Sequence, residues 1–98
     1  MQIGDLAIDP ARREVRRGGA RLRLTTLEFD LLWFLANNPN RVFERDQLMQ
    51  AVWGIDFFGT PRTVDNFILR LREKLEDDPS HPHFETLRGV GYRFTLKP

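Results

Sequence analysis

Ninety-eight residues with 41% hydrophobic and 30% charged side chains fit one small globular domain, and the eight Phe and two Trp that could fill its core argue against a disordered chain. The absence of cysteine excludes a disulfide framework, a thiolate zinc site and a thiol nucleophile. It suits a reducing cytoplasm, which is the expected location because no apolar run approaches a membrane span and the N-terminus lacks a signal-peptide core. The net charge of +1 is too small to argue for nucleic acid, so its distribution matters more. Residues 1–24 hold six Arg against three acids, residues 25–61 two Arg against five acids, and residues 62–98 seven cations against six acids. Such a pattern suits one face turned to phosphates and another to a basic protein partner, although scattered surface charge gives similar counts.

The chain opens with Ile3, Leu6 and Ile8 set among polar residues, interrupted at Pro10 and followed by a second segment over residues 12–16. Gly18 and Gly19 then mark a hairpin, because both can take positive φ. In the return strand Leu22 and Leu24 alternate with Arg21 and Arg23, which predicts a small antiparallel sheet with one buried and one basic side. The arginines at 12, 13, 16, 17, 21 and 23 either contact a partner or, the simpler reading, keep the sheet edge from pairing.

Thr25 followed by Glu28 has capping-box spacing, and Leu24 with Phe29 has staple spacing, so a helix begins there. Leu27, Leu31, Leu32 and Leu35 are its expected buried face, and Asn38 before Pro39 ends it. Residues 41–43 look extended. Helical spacing resumes from Arg45 to Trp53 through Leu48, Met49 and Val52, and stops at Gly54. The segment 55–61 carries Phe57 and Phe58, an apolar pair that either tucks into the core or serves a partner.

Over residues 62–75, Val64, Ile68, Leu71 and Leu75 recur at steps of four, three and four, one apolar stripe of an amphipathic helix. Thr63, Asn66, Arg70 and Glu73 occupy the opposite side, with Arg62 at the start and Lys74 on the shoulder. At about 1.5 Å per residue the helix is roughly 21 Å long, which a major groove can hold, yet a polar outer face is more often merely solvated. Residues 76–83 read as a surface loop. There His81 and His83 lie near Asp77 and Asp78, but Pro79 and Pro82 leave no fixed geometry, so solvated loop residues are the better reading and no metal, cofactor or catalytic role is expected. A second hairpin over residues 84–96 turns at Gly89, Val90 and Gly91, and places Arg88 where it either enters a minor groove or points to water. Sheet (1–24), three-helix core (25–75) and hairpin (84–96) make an α+β winged helix-turn-helix in which the hairpin is the wing.

The segments LTTLEFDLLWFL, VWG at 52–54, RTVDNFILRLREKL and RGVGYRF stand in an order and spacing that resemble the C-terminal effector domain of OmpR/PhoB-type two-component response regulators. The resemblance runs from Leu24 to Phe94. It implies a transcription factor that binds double-stranded DNA as a tandem homodimer on direct repeats. The helix 62–75 would enter the major groove and the wing would approach the minor groove. Thr63, Asn66 and Arg70 would then meet base edges. Arg45, Arg62, Lys74, Thr86 and Tyr92 would meet backbone phosphates, and Arg88 the minor groove. The loop holding Ile55, Asp56, Phe57, Phe58 and Gly59 is similar to the family's surface for RNA polymerase. A receiver domain is a further implied partner, for which 98 residues leave no room. An alternative is a winged helix used mainly as a protein-interaction module for RNA polymerase or a receiver. Such a protein is not an enzyme and works at the bacterial nucleoid. Glu44 stands where relatives commonly carry a Ser or Thr cap, which predicts a weaker helix start by about 1 kcal/mol. Leu69 stands where some relatives carry arginine, and exchanges a charged contact for one that a thymine methyl could meet.

Overall fold

A computed structural model describes residues 1–54, 59–77 and 83–96. The first segment folds as four short strands, β1 (Gln2–Ile3), β2 (Leu6–Asp9), β3 (Glu14–Arg17) and β4 (Ala20–Leu22), each antiparallel to the next in the order β1-β2-β3-β4. What reads in the sequence as one opening segment is thus itself a hairpin, turned at Gly4 with φ of 57°. The next strand begins later than expected because the Asp9 carboxylate accepts from the amides of Ala11 and Arg12 and holds that stretch in a turn. Ile8 lies opposite Val15, and Val15 opposite Leu22, so one face is apolar. On the other face Arg16 and Arg21 stand directly opposite each other, a repulsive pairing that Glu14 relieves from 3.6 and 3.8 Å. Arg13 pairs with Asp30 and Arg17 with Asp5, so much of the arginine cluster has acidic neighbours within the chain.

Helix α1 (Thr26–Ala36) begins at the expected box: Thr25 Oγ1 accepts from the Glu28 amide, and Glu28 Oε1 accepts from the Thr25 amide. At its other end the Asn38 side-chain amide donates to the Phe34 carbonyl, one that the helix end leaves open, and the Asn37 side-chain amide donates to the Trp33 carbonyl, which also accepts the Asn37 backbone amide. Leu31, Leu32 and Leu35 are fully buried, but Phe29 joins them in place of Leu27, which stays half-exposed.

Strand β5 (Val42–Glu44) leads into α2 (Arg45–Leu48), after which the chain widens into a π-helical turn over Met49–Trp53 and ends at Gly54. The expected nine-residue α-helix is therefore only four residues long before its pitch changes. At its start Gln47 Oε1 accepts from the Glu44 amide at 2.8 Å, the glutamine half of a capping box. Helix α3 (Arg62–Lys74) buries Val64, Ile68 and Leu71, with Leu75 buried just beyond it, so the apolar stripe lies where its periodicity put it. Strands β6 (Phe84–Leu87) and β7 (Gly91–Phe94) form the closing hairpin, and β7 also pairs with β5 in a three-stranded sheet ordered β5-β7-β6. No helix among the described residues is long and apolar enough to cross a membrane.

Candidate nucleic-acid interface

The apolar stripe of α3 seats it on the core, which leaves the opposite strip outward. Arg62, Asn66, Leu69, Arg70 and Glu73 are exposed there and Thr63 is half-exposed at its margin. Arg70 is not loose. Its guanidinium lies over the Phe67 ring, 5.1 Å from the centroid, and Phe67 meets Trp53 edge to face at 5.0 Å and 84°. An aromatic pair bridging α3 and the π turn thus backs one face of the guanidinium, whose N–H donors point outward in its plane.

The flank of α3 nearest the hairpin is tied to it at both ends. In the first turn Asp65 accepts from the Tyr92 hydroxyl at 2.5 Å and pairs with Arg45 at 3.4 Å, joining β7, α3 and α2. Burial, then the hydrogen bond to Asp65 and that residue's charge, push the Tyr92 phenol up to about 12, so it remains a proton donor throughout the neutral range. In the last turn Arg72 donates through Nε and Nη2 to the Phe84 carbonyl at 3.2 and 2.7 Å, and through Nη2 to Thr86 Oγ1 at 2.7 Å. Asp65 and Arg72 are seven residues apart, two turns on one side of the helix. Between these ties lies a cleft of about 280 Å³ lined by Arg45, Asp65, Thr86, Arg88 and Tyr92 among others. Arg88 is exposed at the hairpin tip beside Gly89, whose φ is 75°.

Four of the residues expected at backbone phosphates have partners within the chain: Arg45 and Tyr92 share Asp65, Thr86 accepts from Arg72, and Lys74 meets Glu28. Lys74 points toward α1, where its ammonium lies 2.6 Å from Oε1 of Glu28, a carboxylate only 1% exposed. Its long stem lets a residue at the edge of the helical wheel reach inward. Tyr92 is 8% exposed, and its hydroxyl donates to Asp65, which ties β7 to the first turn of α3. Arg45, Thr86 and Arg88 do stand together around the cleft, and Arg62 is exposed at the start of α3. Arg72 escaped sequence reasoning, because its partners are 12 and 14 residues further along the chain, on β6. The signal that could have found it is the acid and base spaced by two turns beside the apolar stripe. Of the suggested polymerase loop, Ile55, Asp56, Phe57 and Phe58 lie outside the described residues, and Gly59 is exposed.

In the other direction, His83 serves the fold: its Nδ1 lies 2.6 Å from the Thr95 carbonyl and its ring stacks on Phe94. The Asp77 carboxylate accepts from the amides of His83 and Phe84, which anchors the start of β6, while Asp78 and His81 lie outside the described residues.

A helix presented outward by two others and braced against a β-hairpin defines a winged helix-turn-helix of the DNA-binding class. The family described as "Transcriptional regulatory protein, C terminal" matches residues 19–94. The chain belongs to that family, as a C-terminal effector domain of the OmpR/PhoB type. Among solved structures it is similar to the DNA-binding domain of Klebsiella pneumoniae RstA in complex with RstA box, at 39% identity and a TM-score of 0.86 over 98% of this chain and 96% of that one. The DNA-binding domain of Escherichia coli CpxR is 38% identical, with a TM-score of 0.83 over 97% of this chain and 94% of that one. Thermotoga maritima DrrB, an OmpR/PhoB homologue, is 41% identical with a TM-score of 0.86, and the match spans 97% of this chain but 43% of DrrB.

Proposed function

We infer that this chain binds specific double-stranded DNA sequences and regulates transcription, with α3 in the major groove and the hairpin near the minor groove. The observation that carries the reading is the exposed strip of α3, polar but for Leu69, on a helix braced against the hairpin from both ends. A groove-reading element needs donors that face outward on a support that does not move, and the ties through Asp65 and Arg72 supply the support. Arg70 and Asn66 are the base-reading residues of this proposal, with Thr63 at their margin; an arginine suits guanine O6 and N7, and an asparagine suits adenine N6 and N7. Arg45, Arg62 and Thr86 take backbone phosphates, and Arg88 takes the minor groove. Lys74 and Tyr92 act behind this surface.

The remaining partners belong to the same reading. Tandem copies on direct repeats would place two such helices along one duplex. RNA polymerase would meet the loop at 55–59. A receiver domain would control the whole, which the match to less than half of DrrB supports. The protein would act in the bacterial cytoplasm, where the chromosome lies.

Selection of bound duplexes from a random library tests the central claim and yields the recognised sequence. Binding to the selected duplex should weaken with salt at a logarithmic slope of about −4 to −5 if roughly five cations displace counterions. Arg70→Ala should weaken the selected duplex about tenfold or more, the scale of one good bidentate base contact, while random duplex loses much less. Equal losses on both duplexes would remove Arg70 from the base-reading set.

A further inference from the structure

On the outward strip of α3 one side chain does not match its neighbours. Leu69 is 54% exposed, the most exposed of the large hydrophobic residues described, and it sits in the middle of a helix rather than at a turn or a terminus. Asn66 lies three residues before it and Glu73 four residues after it, with Arg62 two turns back, so its neighbours on the strip are polar. A single branched side chain ringed by polar groups is too small for the apolar patch of a protein partner. It is the right size for one methyl group. The apolar group that base edges offer in the major groove is the 5-methyl of thymine.

We propose that Leu69 is a specificity-determining residue that reads one thymine through its 5-methyl group. This rests on the docking of α3 in the major groove inferred above. Asn66 and Leu69 are separated by about 4.5 Å along the helix axis, close to the roughly 3.4 Å between successive bases of one strand. The thymine read by Leu69 therefore lies within about one step of the base read by Asn66. The leucine contributes by excluding water from the methyl, and it discriminates against cytosine, which has no methyl and places an amino donor nearby.

The test uses the duplex selected by this chain, with each thymine replaced in turn by deoxyuridine. That exchange removes the methyl and leaves base pairing and O4 unchanged. For the unaltered protein, deoxyuridine at one position should weaken binding about fourfold, the worth of one buried carbon group. Leu69→Ala should bind the thymine duplex about fourfold less tightly and be indifferent to deoxyuridine at that same position, while its affinity for random duplex falls by less than about twofold. Indifference of the unaltered protein to every deoxyuridine, or a Leu69→Ala variant that keeps full sensitivity, would overturn the proposal and leave DNA binding standing. Failure of the unaltered protein to bind any duplex would overturn both.

Discussion

Gly91→Ala is expected to lower the melting temperature by more than about 10 °C, the shift that corresponds to roughly 2 to 3 kcal/mol in a domain of this size. A Cβ at this position would lie 1.9 Å from the Phe43 carbonyl oxygen, 2.8 Å from its carbon and 3.0 Å from Glu44 Cα. All three are backbone atoms, so no side-chain rotation can make room. Relief requires β5 and β7 to separate where Gly91 pairs with Glu44. The adjacent residue is Tyr92, whose hydroxyl holds Asp65, so the displacement should also release the first turn of α3. Circular dichroism melts check the stability, and DNA titration below the melting range checks the second effect. Gly89→Ala is the control. Its added carbon meets open space and only the left-handed backbone, at φ of 75°, opposes it, for a cost of about 1 kcal/mol. A Gly91→Ala protein that melts like the Gly89→Ala control would show that the strands are not as closely joined as described.

Lys74→Met should cost about 2 kcal/mol at neutral pH. Removing one partner of a fully buried ion pair typically costs about 3 to 5 kcal/mol. The lower figure applies because the Lys74 side chain is 37% exposed, so water already screens the pair. For Glu28, burial by itself raises the carboxyl pKa, but hydrogen bonds from Lys74 and the Thr25 amide, with the Lys74 charge, bring it below the ordinary value of 4.5. A group whose pKa is lower folded than unfolded stabilises above its unfolded value, and that contribution is lost as pH falls through the folded one. In Lys74→Met the burial remains without the ammonium, which turns the balance toward the protonated acid. Acidification toward pH 4.5 should therefore narrow the stability gap between the unaltered and variant proteins. Denaturant titrations at neutral pH and near that value measure it, and adding Glu28→Gln to the variant should recover much of the loss. A gap that widens in acid would mean that the carboxylate does not depend on Lys74.

Features encoded within a few residues were legible from the chain. Thr25 and Glu28 make the box their spacing suggests, Gly18 and Gly19 both take positive φ at the hairpin, and the Val64, Ile68, Leu71 and Leu75 stripe is buried. In each case the deciding signal lies within a few residues of sequence. The pairing of β5 with β7 joins residues 42–44 to 91–93, and no local periodicity reports such a register. The change of pitch after Leu48 was hidden for another reason: over nine residues, α and π spacings place the same apolar side chains inward. Within the candidate interface, the outward strip of α3 followed from the wheel, whereas the direction of Lys74 and the roles of Arg72 and Asp65 depended on which elements pack beside α3.

The two ties between α3 and the hairpin bear on more than stability. A recognition helix and wing locked at a set angle cannot adjust separately to a groove of the wrong width. On the inferred docking, the duplex must make the adjustment. DNA steps differ in how easily they bend, twist or narrow, so the preferred sites of this protein should carry a sequence signature between the groove-reading helix and the wing, at base pairs that no side chain touches. The stiffness set by Asp65, Tyr92 and Arg72 would then be a source of selectivity in its own right.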